Sequence, residues 1–145
     1  SSLGRATSVL VLLDTSFLLT MLREHMDFGE EIRTTVPGPL RIVTIDLVRF
    51  ELGRLARRGS SATGGLAKLA LEQLERKRVP VMDTELVVKD TDTAILTAAL
   101  FQKGPVAVAT LDRRLREILR RSGVSTIYPR RRRGLILSKA RRSSA

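Results

Sequence analysis

Apolar residues in this chain alternate between two spacings. Short unbroken runs at Val9 to Leu13, Arg41 to Ile45, Val79 to Met82 and Val106 to Thr110 predict buried strands, and Thr126 to Tyr128 predicts a short fifth. Between them apolar positions recur at helical spacing, as Phe17, Leu18, Met21 and Leu22 within Thr15 to Leu22 and as Leu66, Leu69, Ala70 and Leu74 within Leu66 to Lys77. Further helices are predicted over Asp46 to Arg58, capped by Asp46, over Asp92 to Phe101, and over Asp112 to Arg121. TTVPGPL (Thr34 to Leu40) reads as a turn and GSSATGG (Gly59 to Gly65) as a flexible loop. Strands alternating with helices imply an α/β fold, a three-layer α/β/α sandwich around a central parallel sheet of about five strands. The functional edge of such a sheet lies beyond the strand carboxyl ends.

Four acids sit at or near that edge. Asp14 ends the first apolar run, Asp92 opens a helix, and Asp112 follows the fourth run. Singly, each reads as well as a helix cap, accepting orphan backbone donors. Glu51 does not, because Val48, Glu51, Leu52 and Leu55 share one helix face, and an unpaired carboxylate among apolar neighbours costs several kcal/mol. Gathered carboxylates repel unless a cation sits between them, and hard oxygen donors select Mg2+ or Mn2+.

Composition narrows the chemistry. With 145 residues the chain suits one domain, here 1–128, followed by a basic tail over 129–145. Lys and Arg number 26 against 15 Asp and Glu, a net charge of +11 that points to a polyanion, nucleic acid first. There is no Cys and one His, so thiol chemistry and a structural zinc site drop out, and a reducing, cytoplasmic setting is expected. The apolar start is broken by Asp14, which argues against a membrane span. Arg113, Arg114 and Arg116, with Arg130, Arg131, Arg132 and Arg133, are candidate nucleic-acid phosphate contacts. Tyr128 is the only Tyr and Trp is absent, so base stacking is a minor source of affinity. His25 reads as a surface residue, and Gly64 and Gly65 as linker.

The segments DTSFLL (Asp14 to Leu19), FELGRL (Phe50 to Leu55), DTAIL (Asp92 to Leu96) and ATLDRRLR (Ala109 to Arg116) together resemble the PIN-domain ribonucleases. VTIDLVRFELGRL, VATLDRRLREILRRSGVSTIY and the basic end are most similar to the branch that processes the small-subunit ribosomal RNA precursor. Toxin-type PIN ribonucleases and non-catalytic RNA-binding PIN modules are the alternatives. The sequence departs from the branch pattern at Ser16, where Asn is common, and at Thr91, which separates Asp90 from Asp92.

The resemblance implies a PIN-like nuclease domain that hydrolyses RNA phosphodiester bonds with Mg2+ or Mn2+ held by Asp14, Glu51, Asp92 and Asp112. Phosphodiester hydrolysis needs charge neutralisation and an activated water, which carboxylate-held ions supply without His or Cys. Ser16 and Thr110 are candidates to orient a carboxylate or a water, and Asp90 is a further candidate in the loop. Expected partners are RNA, chiefly a ribosomal RNA precursor, together with ribosome-assembly proteins and a second copy of the chain as a homodimer.

Overall fold

The computed structural model describes residues 7–58, 61–84, 90–130 and 134–140. In chain order the elements are β1 (Val9–Leu13), α1 (Thr15–Arg23), α2 (Phe28–Thr35), β2 (Leu40–Ile45), α3 (Asp46–Arg57) and α4 (Ala62–Arg76). Then come β3 (Val81–Met82), α5 (Thr91–Leu100), β4 (Val106–Ala109), α6 (Arg113–Arg121), β5 (Ser125–Pro129) and β6 (Leu135–Ser138). All strands join one sheet in the order β3-β2-β1-β4-β5-β6, the first five parallel and β6 antiparallel to β5.

The unbroken apolar run of β1 explains its place. A strand paired on both sides and covered on both faces must be apolar throughout, and Val11, Leu12 and Leu13 are each 0% exposed. From β1 the chain moves outward through β2 to β3, then returns past β1 to add β4 and β5 on the other side. Right-handed crossovers leading in opposite directions put their helices on opposite faces, which gives the three layers. The reversal between β1 and β4 makes a topological switch point, and a crevice opens beyond their carboxyl ends. Leu13 pairs with Ala109, so Asp14 and Thr110 leave the sheet side by side.

Several elements differ from the sequence expectation. Phe28–Thr35 is a helix, so Thr34 and Thr35 close it and do not belong to the turn; its start is capped by Asp27, which accepts from the Glu30 N–H at 3.0 Å. The expected loop over Gly59 to Gly65 is cut short because Ser61 caps α4 and accepts from Gly64 N at 3.0 Å, placing Gly64 and Gly65 in the first turns of that helix. Residues 59 and 60 lie outside the described set. Asp46 is the first residue of α3 and not its cap; it accepts from Leu47 N at 2.8 Å and from Thr84 N at 2.9 Å, tying α3 to the end of β3. β3 itself is confined to Val81–Met82, and Asp90, not Asp92, caps α5. The 129–145 stretch contributes Pro129 to β5 and the whole of β6, making the sixth strand. His25 is exposed, in a left-handed turn at φ 56° that leads out of α1. Among the described residues no helix is long and apolar enough to cross a membrane.

Candidate active site

Asp14 is the anchor of the crevice. It is 5% exposed and caps α1, with Oδ1 accepting from Thr15 N at 2.8 Å. Its Oδ2 accepts from Thr110 Oγ1 at 2.6 Å and from Ser16 Oγ at 3.2 Å. These hydroxyls are themselves held, since Leu111 N donates to Ser16 Oγ at 3.2 Å and Asp112 N to Thr110 Oγ1 at 3.2 Å. Burial pushes the Asp14 carboxyl above its ordinary range; the hydrogen bonds from Thr110, Thr15 and Ser16 act against that, and the nearby Glu51 charge adds to it.

Four separate segments send acids to the same place. Asp14 and Asp112 come from the ends of β1 and β4, Glu51 from α3 and Asp92 from the first turn of α5, and all four line one cleft of about 520 Å³. Asp112 caps α6, accepting from Leu115 N at 3.1 Å. Glu51 is half-buried in this open cleft; it is not sealed among the apolar neighbours that the helix pattern suggests. Asp90 also lines the cleft, but it is exposed and turned to capping. Thr93 donates to Asp90 Oδ2 from its Oγ1 at 2.6 Å and from its N at 3.3 Å, and these bonds hold the Asp90 carboxyl below its ordinary range.

Asp92 records how crowded this charge is. Desolvation first, then the charges of Asp112, Asp14, Asp90 and Glu51, push its carboxyl up to about 6. Among the described residues the only ion pairs are Lys77 with Asp27 and Arg121 with Glu117, so none of the cleft acids is ion-paired within that set.

Of the cleft residues not anticipated from sequence, Arg54 and Thr15 bear on its chemistry. Arg54 stands one turn beyond Glu51 on α3, and the i, i+3 relation to Glu51 is the signal that finds it. Thr15 Oγ1 is buried and has no hydrogen-bond partner among the described residues, and Thr15 lines the same cleft. No sequence signal marks it, because its neighbour Asp14 takes the backbone N–H and leaves the hydroxyl free. Of the basic candidates, Arg113 and Arg114 are exposed on α6 directly after Asp112, Arg116 is half-buried, and Arg130 is exposed after β5. Arg131, Arg132 and Arg133 lie outside the described residues.

A divalent cation suits this donor set. The carboxylates are crowded, and among the described residues none is ion-paired, while the buried hydroxyl of the neighbouring Thr15 has no partner there. Among the described residues no three His, Cys, Asp or Glu side chains are gathered closely enough to ligate one ion together. Magnesium tolerates that, since it is bound through one or two carboxylates and keeps several waters.

No protein-family model and no curated protein matches the chain. Among solved structures it is similar to the PIN domain endonuclease Utp24, with a TM-score of 0.75 and 21% identity over 90% of this chain and 91% of that one. The likeness establishes a PIN-like α/β/α fold.

Proposed function

We propose that this chain is a divalent-metal-dependent endoribonuclease that hydrolyses RNA phosphodiester bonds, with ribosomal RNA precursors as its substrate class. One observation carries the reading. Asp14, Glu51, Asp92 and Asp112 come from four segments spread along the chain, yet line one cleft at the sheet's switch point, and among the described residues none of them makes an ion pair. The PIN-like fold supports it, and the precursor class rests on the sequence motifs around Glu51 and Asp112.

Asp14, Glu51, Asp92 and Asp112 would hold the ion, some through water. The chemistry that Mg2+ or Mn2+ would supply there is charge neutralisation at the non-bridging phosphate oxygens and a more acidic water. The chain's own residues do the positioning. Thr110 and Ser16 fix the Asp14 carboxylate, and the backbone of Leu111 and Asp112 fixes those hydroxyls in turn. Arg54 offers a guanidinium to the substrate's phosphate from the α3 side, and Arg113 and Arg114 flank the cleft on the α6 side.

The purified 145-residue chain incubated with ribosomal precursor RNA and with an unrelated structured RNA, in Mn2+, Mg2+ or EDTA, tests the reading. Cleavage at discrete precursor positions is expected with metal and none in EDTA, and Asp14→Asn should abolish it while the metal-free variant melts at or slightly above the parent temperature. Cleavage that persists in EDTA, or in Asp14→Asn at the parent rate, overturns the mechanism. Equal cleavage of both RNAs overturns the precursor assignment.

A further inference from the structure

α6 carries a second constellation, lining a pocket separate from the acidic cleft. Arg113, Arg116, Glu117 and Arg120 recur at helical spacing and form one stripe, and α6 packs against β5. Beneath it, Thr126 and Tyr128 lie two apart on β5 and share a face, and Ser138 of β6 is paired directly with Thr126. Stripe and hairpin together enclose a pocket of about 300 Å³.

The pocket's chemistry favours an anion. Among the described residues none of its three arginines makes an ion pair, whereas Glu117 is already engaged by Arg121 at 3.1 Å. The Arg116 guanidinium lies 3.9 Å from the Tyr128 ring centroid, a stack that holds its plane and leaves its hydrogen-bonding edge free. Among the described residues Arg116 Nε is buried without a hydrogen-bond partner, and so is Thr126 Oγ1, in a residue that is 0% exposed. Buried polar groups are ordinarily satisfied, so two orphans in one arginine-lined pocket point to a ligand rich in acceptor oxygens.

We propose that this pocket between α6 and the β5–β6 hairpin binds a phosphate group of the RNA strand outside the cleft. The identity of the strand rests on the ribonuclease reading; the pocket itself does not. At 1.5 Å rise per residue, Arg116 and Arg120 stand roughly 6 and 12 Å along α6 from Asp112, so a strand leaving the cleft past Asp112 runs onto the stripe.

Anisotropy of a single-stranded RNA oligonucleotide with the full chain in EDTA tests this, alongside thermal melts in inorganic phosphate. Arg120→Gln should weaken oligonucleotide binding about tenfold, the range of one charge-assisted hydrogen bond, and lower the phosphate-induced rise in melting temperature. Arg76→Gln, which removes an exposed charge on α4 outside the pocket, should change affinity by less than about twofold. Equal losses for the two variants mean diffuse attraction and overturn the pocket. A response to phosphate with none to the oligonucleotide overturns the strand assignment. Since metal is absent throughout, failure of the cleavage experiment leaves this result standing, and the reverse also holds.

Discussion

Thr110 illustrates how much a single side chain carries. It is 0% exposed, donates to Asp14 at 2.6 Å and accepts from the backbone N–H of Asp112, so it couples two of the four cleft acids. Thr110→Val keeps the shape and removes both bonds; cleavage should fall about 10- to 100-fold, with a weaker apparent metal affinity in a Mn2+ titration. Asp92 makes a prediction about acidity. Its carboxyl, raised from 3.8 to about 6, favours the folded state when protonated, so its contribution is full below 3.8 and is lost as pH rises through about 6. In EDTA, Asp92→Asn should therefore raise stability at pH 7 by about 1 kcal/mol, less than full linkage implies because cleft water screens the charges, and the gain should vanish near pH 4. Urea melts at the two pH values check it. Cleavage should rank the neighbours differently, lost in Asp92→Asn and only reduced in Asp90→Asn, whose carboxylate serves Thr93. The approach of Asp14 to Asp112 was legible because both end apolar runs, whereas the orphan hydroxyl of Thr15 depends on hydrogen bonds that no spacing reveals.

Among the elements, those with a long apolar period were legible and those specified by a cap or a partner were not. α2 is short and its apolar positions are few, so its Asp27 cap is its main signature. β6 has only partly buried side chains, and it exists as a strand because β5 offers it an edge. Its basic flanks, Arg130 to Arg133 and Lys139 to Arg142, concealed the run LILS. This changes how the basic end should be probed. Deletion from Arg130 onward strips β6 from β5 and should lower the melting temperature by several degrees, for a loss of about 1 to 2 kcal/mol. Replacing Arg131, Arg132 and Arg133 by Gln in the full chain isolates charge instead. Each phosphate contact on a single strand contributes roughly 0.7 to the slope of log K against log salt, so losing three should flatten it by about two. Asp14→Asn should leave that slope unchanged, and binding measured from 50 to 200 mM salt separates the two effects.

Taken whole, the molecule sets one acidic cleft into a body of net charge +11. On the proposed function the body would draw in a polyanion and the cleft would repel it until cations intervene, so metal and salt would act on different steps. The place of β1 in the sheet also has a consequence for how the molecule comes apart. β1 is hydrogen-bonded on both sides and fully covered, and the Asp14 N–H is tied to Ala109 O at 2.9 Å and the Thr110 N–H to Ile127 O at 3.0 Å. Those amides should exchange with deuterium only through global unfolding, while amides of β3 and β6, at the two edges, should exchange through local openings of far lower free energy. Exchange at Asp14 as fast as at Leu137 would contradict this. The Asp14 and Thr110 end of the cleft then belongs to the last cooperative unit to open and the α6 pocket, which includes Ser138, to one of the first, so the chain can release a strand's phosphate while the Asp14 carboxylate stays fixed.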